Sequence, residues 1–364
     1  MSDIQTVPGW NEQLMFSSLT AEATYGAAVT VNASNFQSFN GFSMPPAVED
    51  KVVNDLDEVT GSEVATSQET IEQRKKLPYS QPKATPNAVA FLLAAVLGNV
   101  TDTQDGALDA YSHYIKPETV GTALASFNAI HKRAGLQKIY KGCKGTSIKI
   151  TSEQEGIIAV EAEIITNGAA ATDASSFVSK VSETWLKAND TKVYIKTSPD
   201  PATDIIAAGS MSQASDNISS AQNLTSIGAR VRSWSIEANN NVEPIAGHGG
   251  GGTLQDVDYN RRTYTLSMSL LFADGTELGY FENDTPLAVE FNCKDDGAGV
   301  IAATGAMYYG LIVRIPKCRI KKRPEPAGGP NDPHTLDLEF EILDDGTNPP
   351  VDFMVYNAIA AYLA

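Results

Sequence analysis

Several short segments alternate apolar and polar residues with a period of two, and no other feature limits the fold of this chain so tightly. In Ile157 to Ile164 (IIAVEAEI), Val160, Ala162 and Ile164 share one face while Glu161 and Glu163 share the other. In Leu336 to Ile342 (LDLEFEI), Leu336, Leu338, Phe340 and Ile342 oppose Asp337, Glu339 and Glu341. In Tyr264 to Leu270 (YTLSMSL), Tyr264, Leu266, Met268 and Leu270 oppose Thr265, Ser267 and Ser269. Arg230 to Ala238 and Leu287 to Phe291 behave in the same way. Alternation of this kind marks antiparallel strands with one face on a core and one in water. The expected class is mainly β.

Two helices interrupt the pattern. Thr85-Pro86 followed by NAVAFLLAAVLG supplies an N-cap hydroxyl, a proline in the first turn and Gly98 as a stop. Ala174 to Lys187 places Phe177, Val181, Trp185 and Leu186 on one helical stripe. Polar stretches at Pro45 to Ala84, Ser198 to Ser226 and Asn239 to Arg262 read as long loops or linkers, the last carrying the glycine run Gly247 to Gly252.

The chain has 364 residues, enough for one large or two medium domains. Its longest apolar run, Ala88 to Leu97, is about half of the roughly 20 residues a helix needs to cross a bilayer. The opening MSDIQTVPGW lacks the basic and apolar regions of a secretory signal, so folding in a cytoplasm is expected. Three cysteines, Cys143, Cys293 and Cys318, form no CxxC pair and read as buried thiols; the four histidines are scattered. The net charge of −17 disfavours a tight grip on nucleic acid, which needs Lys and Arg against phosphates.

No enzyme signature survives inspection. The glycine run is followed by Thr253-Leu254 and not by the Lys-Ser/Thr of a phosphate loop. Around Gly106 only Asp105 suits a calcium loop, because Thr stands at positions 101 and 103. The pairs Glu161/Glu163 and Glu339/Glu341 lie at i, i+2 on a strand face, which suits a solvated surface better than two carboxylates facing each other across a substrate. No catalytic, cofactor or metal site is assigned.

Three segment pairs recur in order in the two halves. Phe42-Ser43-Met44 with Val48-Glu49 resembles Trp234-Ser235-Ile236 with Val242-Glu243. Cys143 with Ser147-Ile148-Lys149 resembles Cys318 with Arg319-Ile320-Lys321. Glu161-Ala162-Glu163-Ile164 with Gly168 resembles Glu339-Phe340-Glu341-Ile342 with Gly346. Near-constant spacing points to two copies of one β-rich module, although any two β domains share some glycine-bounded alternating strands. The expected boundaries are a first module at 1–170 with a long loop at 45–84, a connecting segment at 171–227, and a second module at 228–364.

The block Ser233 to Phe291 (SWSIEANNNVEPIAGHG…LAVEF), the segment YYGLIVRIPKCRIKK (Tyr308 to Lys322) and the stretch Ala125 to Gly168 resemble the tail tube proteins of long-tailed bacteriophages, the siphophages. The resemblance covers about half the chain and consists of strand and turn patterns. It implies two tandem β-sandwich modules with flanking helices, contributing strands to a closed ring β-barrel. Six modules complete a ring, so two per chain imply a homotrimer, and one per chain a hexamer. It also implies a place in the virion tail after assembly in the host cytoplasm, and partners in the tape measure, tail terminator and tail tip proteins. Phage DNA would pass without sequence-specific binding, and no membrane would be involved. On this view Glu161, Glu163, Asp337, Glu339 and Glu341 are candidates for the channel lining, the alternative being that they face outer solvent. Asp55, Asp57, Glu58, Arg74, Lys75 and Lys76 are candidates for a loop that contacts the neighbouring ring. The tube of a contractile or type VI-like system and a β-sandwich surface-binding module are the alternatives.

Overall fold

The computed structural model describes residues 12–40, 47–48, 51–54, 68–72, 75–104, 109–119, 121–133, 135–154, 156–168, 170–197, 225–245, 253–294, 301, 308–329 and 332–364. The first half of the chain carries β1 (Gln13–Phe16), β2 (Gln37–Phe39), β3 (Ala47–Val48), β4 (Lys51–Asn54), β5 (Gln68–Glu72), β6 (Lys75–Gln81), α1 (Pro86–Leu97), β7 (Gly98–Gln104), β8 (Tyr111–Pro117), β9 (Phe127–Arg133), β10 (Leu136–Glu153), β11 (Ala159–Thr166) and β12 (Ala170–Thr172). The second carries β13 (Thr191–Thr197), β14 (Thr225–Ser226), β15 (Val231–Asn239), β16 (Val242–Ile245), β17 (Asp256–Tyr259), β18 (Thr263–Leu271), α2 (Thr276–Glu282), β19 (Leu287–Lys294), β20 (Gly310–Ile320), β21 (Thr335–Ile342) and β22 (Asp352–Asn357).

The alternating segments form strands as expected. They assemble into a front sheet, β3-β6-β11-β10-β15-β18-β21-β20, in which every neighbouring pair is antiparallel. Its inner face is apolar, with Leu77, Tyr79, Ile148, Ile150, Trp234, Ile236, Leu266, Met268, Leu338 and Phe340 all buried. Two back sheets cover that face, β2-β1-β9-β10-β12 and β14-β13-β19-β20-β22-β8-β7.

The long strands β10 and β20 belong to both layers. The early part of β10 pairs with β9 and β12 and its later part with β11 and β15, with register breaks between Tyr140/Cys143 and Gly145/Ser147. β20 turns the corner at Pro316, between its ladder with β22 and its ladder with β21. A proline there costs no ladder hydrogen bond that the corner has not already broken. Among the described residues no sheet closes into a barrel: the ladders branch and end on open edges. Closure into a ring barrel is therefore not a property of one chain.

Helix α1 forms where expected. Thr85 accepts the Ala88 N–H, Pro86 opens the first turn and Gly98 (φ 88°) terminates it. All twelve of its residues are buried, which fits an all-apolar helix between two layers. It packs against β10, where a Cβ on Gly145 would meet Ala95 O at 2.9 Å. The C-terminal segment is tied to its first turn. Asn357 Nδ2 donates to the Tyr362 hydroxyl (2.8 Å), which in turn donates to Asn87 Oδ1.

The stretch from Ala174 to Lys187 is not a helix. It runs extended across the first half of the chain, with Phe177 and Val178 on the Met15–Val29–Phe36–Ile130 cluster and Leu186 in the main core. Neighbouring strands and loops take its backbone bonds: Leu186 N donates to Ala84 O and Ile158 N to Leu186 O, both at 2.9 Å. The stretch read as a loop from Pro45 to Ala84 contains β3, β4, β5 and β6. Phe42-Ser43-Met44, the 198–224 part of the Ser198 to Ser226 stretch, the turn at Asp105-Gly106 and the run Gly247 to Gly252 lie outside the described residues. All three cysteines are buried and unbridged.

The same set of ladders occurs in each half. β1–β2, β1–β9, β9–β10, β10–β11, β10–β12, β11–β6 and β6–β3 are matched in order by β13–β14, β13–β19, β19–β20, β20–β21, β20–β22, β21–β18 and β18–β15. A two-stranded arm, β4–β5 or β16–β17, stands between the last two strands of each set. Register agrees as well: Ile148 faces Ala162 where Ile320 faces Phe340, and Gly168 and Gly346 both have positive φ. The cysteines do not share a rung, since Gly145, not Cys143, faces Ile164 where Cys318 faces Ile342.

The second back sheet carries a polar row that is buried from Glu290 onward. Tyr194, Glu290, Arg314 and Asp352 are rung partners on successive strands. Arg314 and Asp352 form a bidentate pair at 2.8 and 3.0 Å, and Tyr114 donates to Asp352 at 2.9 Å. Burial pushes the Glu290 carboxyl up to about 7, even though the Arg314 guanidinium pulls the other way.

Candidate channel-facing surface

Strand alternation gives the front sheet a second face, and that face is polar across both halves. One rung runs Ser80–Glu161–Lys149–Glu237–Thr265 across five strands. A second runs Thr151–Ser235–Ser267–Glu339, and a third Glu153–Ser233–Ser269–Asp337. Glu341 faces Arg319 at the far side. All of these side chains are exposed or half-buried, whereas Ile148, Ile150, Val160, Ala162, Ile236, Leu266, Met268, Leu338 and Phe340, which alternate with them, are buried. The apolar inner face fixes the register, because a one-residue slip would send every carboxylate into the core.

The face carries seven carboxylates, Glu153, Glu161, Glu163, Glu237, Asp337, Glu339 and Glu341, against Lys76, Lys149 and Arg319 on the same strands. Lys76 pairs with Glu163 (3.3 Å), Lys322 with Glu339 (2.8 Å) and Arg319 with Asp284 (2.5 Å). Ser269 donates to Asp337 (2.6 Å), and the Ser235 and Ser267 hydroxyls bond across strands at 2.8 Å. Such pairs in water contribute little stability, so the surplus negative charge stays available to the solvent.

Glu161, Glu163, Asp337, Glu339 and Glu341 thus share one face with Thr265, Ser267 and Ser269. Sequence reading missed Glu237, Lys149 and Glu153. Each stands at an alternating position in β15 or β10, so continuing the two-residue period along those strands would have found them. Lys75 and Lys76 lie in β6, and Lys76 belongs to the acidic face; Asp55, Asp57, Glu58 and Arg74 lie outside the described residues. Among the described residues, no helix is long and apolar enough to cross a membrane.

A family model described as "Phage tail tube protein" matches residues 16–342. The chain belongs to the phage tail tube protein family. No curated protein matches it. A tail tube protein is a structural component of the bacteriophage virion tail and assembles with copies of itself. The β-rich sheets described above are the kind of material from which such a tube is built.

Proposed function

We propose that this tail tube protein carries two tandem modules, that three chains close a ring, and that stacked rings form the tube of a long non-contractile tail with the acidic face lining its channel. The joint between the halves carries the proposal. β10 pairs with β15 from Ser147↔Asn239 to Glu153↔Ser233, welding the two sets of ladders into one sheet. Among the described residues, the matching edges are open at the two ends of that sheet. β20 has no partner beyond Cys318 on the side opposite β21, and β3 is paired on one side only.

Transferring the internal register places Arg319 opposite Ala47 of the next chain. Repeating the joint at each chain boundary removes both open ends of the front sheet, which is how its long amphipathic strands escape uncontrolled edge pairing. Head-to-tail contacts of this kind close a ring when the rotation per subunit is right. Two modules per chain favour a trimer over a hexamer, and a siphophage tube over contractile-system tubes built from single-module chains. A carboxylate-rich lining repels a duplex that carries one phosphate per about 1.7 Å, so DNA meets no adhesive wall on its way out.

Negative-stain electron microscopy of the purified protein, with mass measured in solution, tests the reading. Rings of three chains, or tubes built from them, with a channel wide enough for duplex DNA are the expected result. A protein that stays monomeric at every concentration, or rings of six chains, would refute the proposed stoichiometry.

A further inference from the structure

The arm β16–β17 does not project into solvent. It folds back over the polar face of the first half, where Leu254 and Val257 cover Ile165 and all three are buried. Leu254 N donates to Asn167 O (3.0 Å). Lys144, buried under the arm, pairs with Asp256 at 2.6 Å and lies near the Tyr25 and Tyr259 rings. The arm thus fastens the β10–β15 joint from above.

The other arm, β4–β5, has the same register. The rung Ile245↔Asp256 in β16–β17 corresponds to Val53↔Glu69 in β4–β5, and Pro244↔Val257 corresponds to Val52↔Thr70. The spacing within these rungs differs, 11 positions against 16, because the first arm's tip is five residues longer. Glu69 therefore stands in β5 at the position that Asp256 holds in β17. On the receiving side, Ile164↔Gly145 matches Ile342↔Cys318, so Ile165 and Lys144 correspond to Leu343 and Lys317. The Leu343 N–H donates to Lys317 O, as this alignment requires.

Among the described residues, nothing covers the receiving side as the β16–β17 arm covers Ile165. Ile165 and Lys144 are buried, but Leu343 and Lys317 are both half-exposed, and Lys317 Nζ reaches the Asp344 carbonyl at 3.4 Å. We infer that the surface around Lys317, Leu343 and Asp345 is a docking seat for the β4–β5 arm of a second copy of this chain, fastened by an ion pair between Lys317 and the neighbour's Glu69. The inference rests on the ring proposed above and names the contact that locks each chain boundary. It sends this arm sideways, onto the neighbour in the same ring, and not along the tube axis as expected from the sequence. Lysine above the seat and an acid in the arm are complementary, and the leucine replaces the apolar floor that Ile165 supplies inside the chain.

Zero-length carbodiimide crosslinking of assembled wild-type protein, followed by peptide mass spectrometry, reads the contact directly. The expected result is a Lys317–Glu69 crosslink between chains, present in rings and absent from dissociated protein. Lys317→Glu should raise the concentration for half-assembly about tenfold, and Glu69→Lys in the same chain should bring it back. Rings that form normally but crosslink Glu69 elsewhere, with no response to Lys317→Glu, would overturn the seat and leave the ring standing. Wild-type protein that forms no rings would overturn both.

Discussion

Glu290 should make this protein less stable as pH rises through neutrality. The residue is completely buried in β19 beside Arg314, whose guanidinium is already held by Asp352. Burial raises its carboxyl from 4.5 to about 7. The folded state therefore holds this proton more tightly than the unfolded chain does, so folding is linked to proton uptake between those values. Below pH 4.5 both states are protonated and nothing is lost. Above pH 7 both are ionised, and the folded state bears the full cost of a buried charge. At about 1.4 kcal/mol per unit, a shift of this size costs about 3 kcal/mol at pH 8. Glu290→Gln keeps the shape and removes the titration. The variant's stability relative to wild type should rise by about 2 kcal/mol between pH 5.5 and pH 8.5, the rest of the loss having already occurred between pH 4.5 and 5.5, and for a chain of this length that is about 3 °C in Tm. Scanning fluorimetry or urea titration across that range measures it. A difference that is flat with pH, or that falls as pH rises, would show that Arg314 holds Glu290 ionised and that the reasoning is wrong.

Replacing Glu161, Glu163, Glu339 and Glu341 together by Lys should leave the fold intact, since all four are exposed or half-exposed. Phage carrying the variant should assemble tails but lose plaque-forming titre by about tenfold or more, because the channel would now attract phosphates; an unchanged titre would place these acids outside the channel. Gly98→Ala should cost about 1–3 kcal/mol in urea titration, because φ is +88° there and a Cβ would sit 2.3 Å from Leu124 Cδ2. Tyr362→Phe should cost about 1–2 kcal/mol by the same assay, since Asn357 and Asn87 would each lose a buried partner.

The front sheet was legible in the sequence because its two faces see different solvents. Glu161 and Glu163 beside Val160, Ala162 and Ile164 leave only one way to place that strand. Helix α1 was legible from its ends, Thr85-Pro86 and Gly98. The stretch from Ala174 to Lys187 was misread because Phe177, Val181 and Trp185 are spaced like a helical stripe. In the fold Phe177 is partly buried, while Val181 and Trp185 remain exposed, with Lys83 stacked over the Trp185 ring. Partners supplied by distant segments, at Ala84 and Ile158, decided its conformation, and no local pattern encodes them. The arms were read as loops for a related reason. Two-stranded ribbons such as β16–β17 gain their order from the surface they lie on, here Ile165 and Lys144, and only the fold brings that surface near.

The β10–β15 joint has a kinetic consequence. Because it links parts of one polypeptide, it forms at a local concentration set by the connecting chain, however little protein the infected cell has made. In the proposed ring of three chains, only three joints remain to be made between chains, where six separate modules would have six to make. In the proposed ring the two kinds of joint would also be free to diverge, since a substitution in one half of the chain would reach only every second position. The five extra residues between the rungs of the first arm are one difference that such a ring would tolerate.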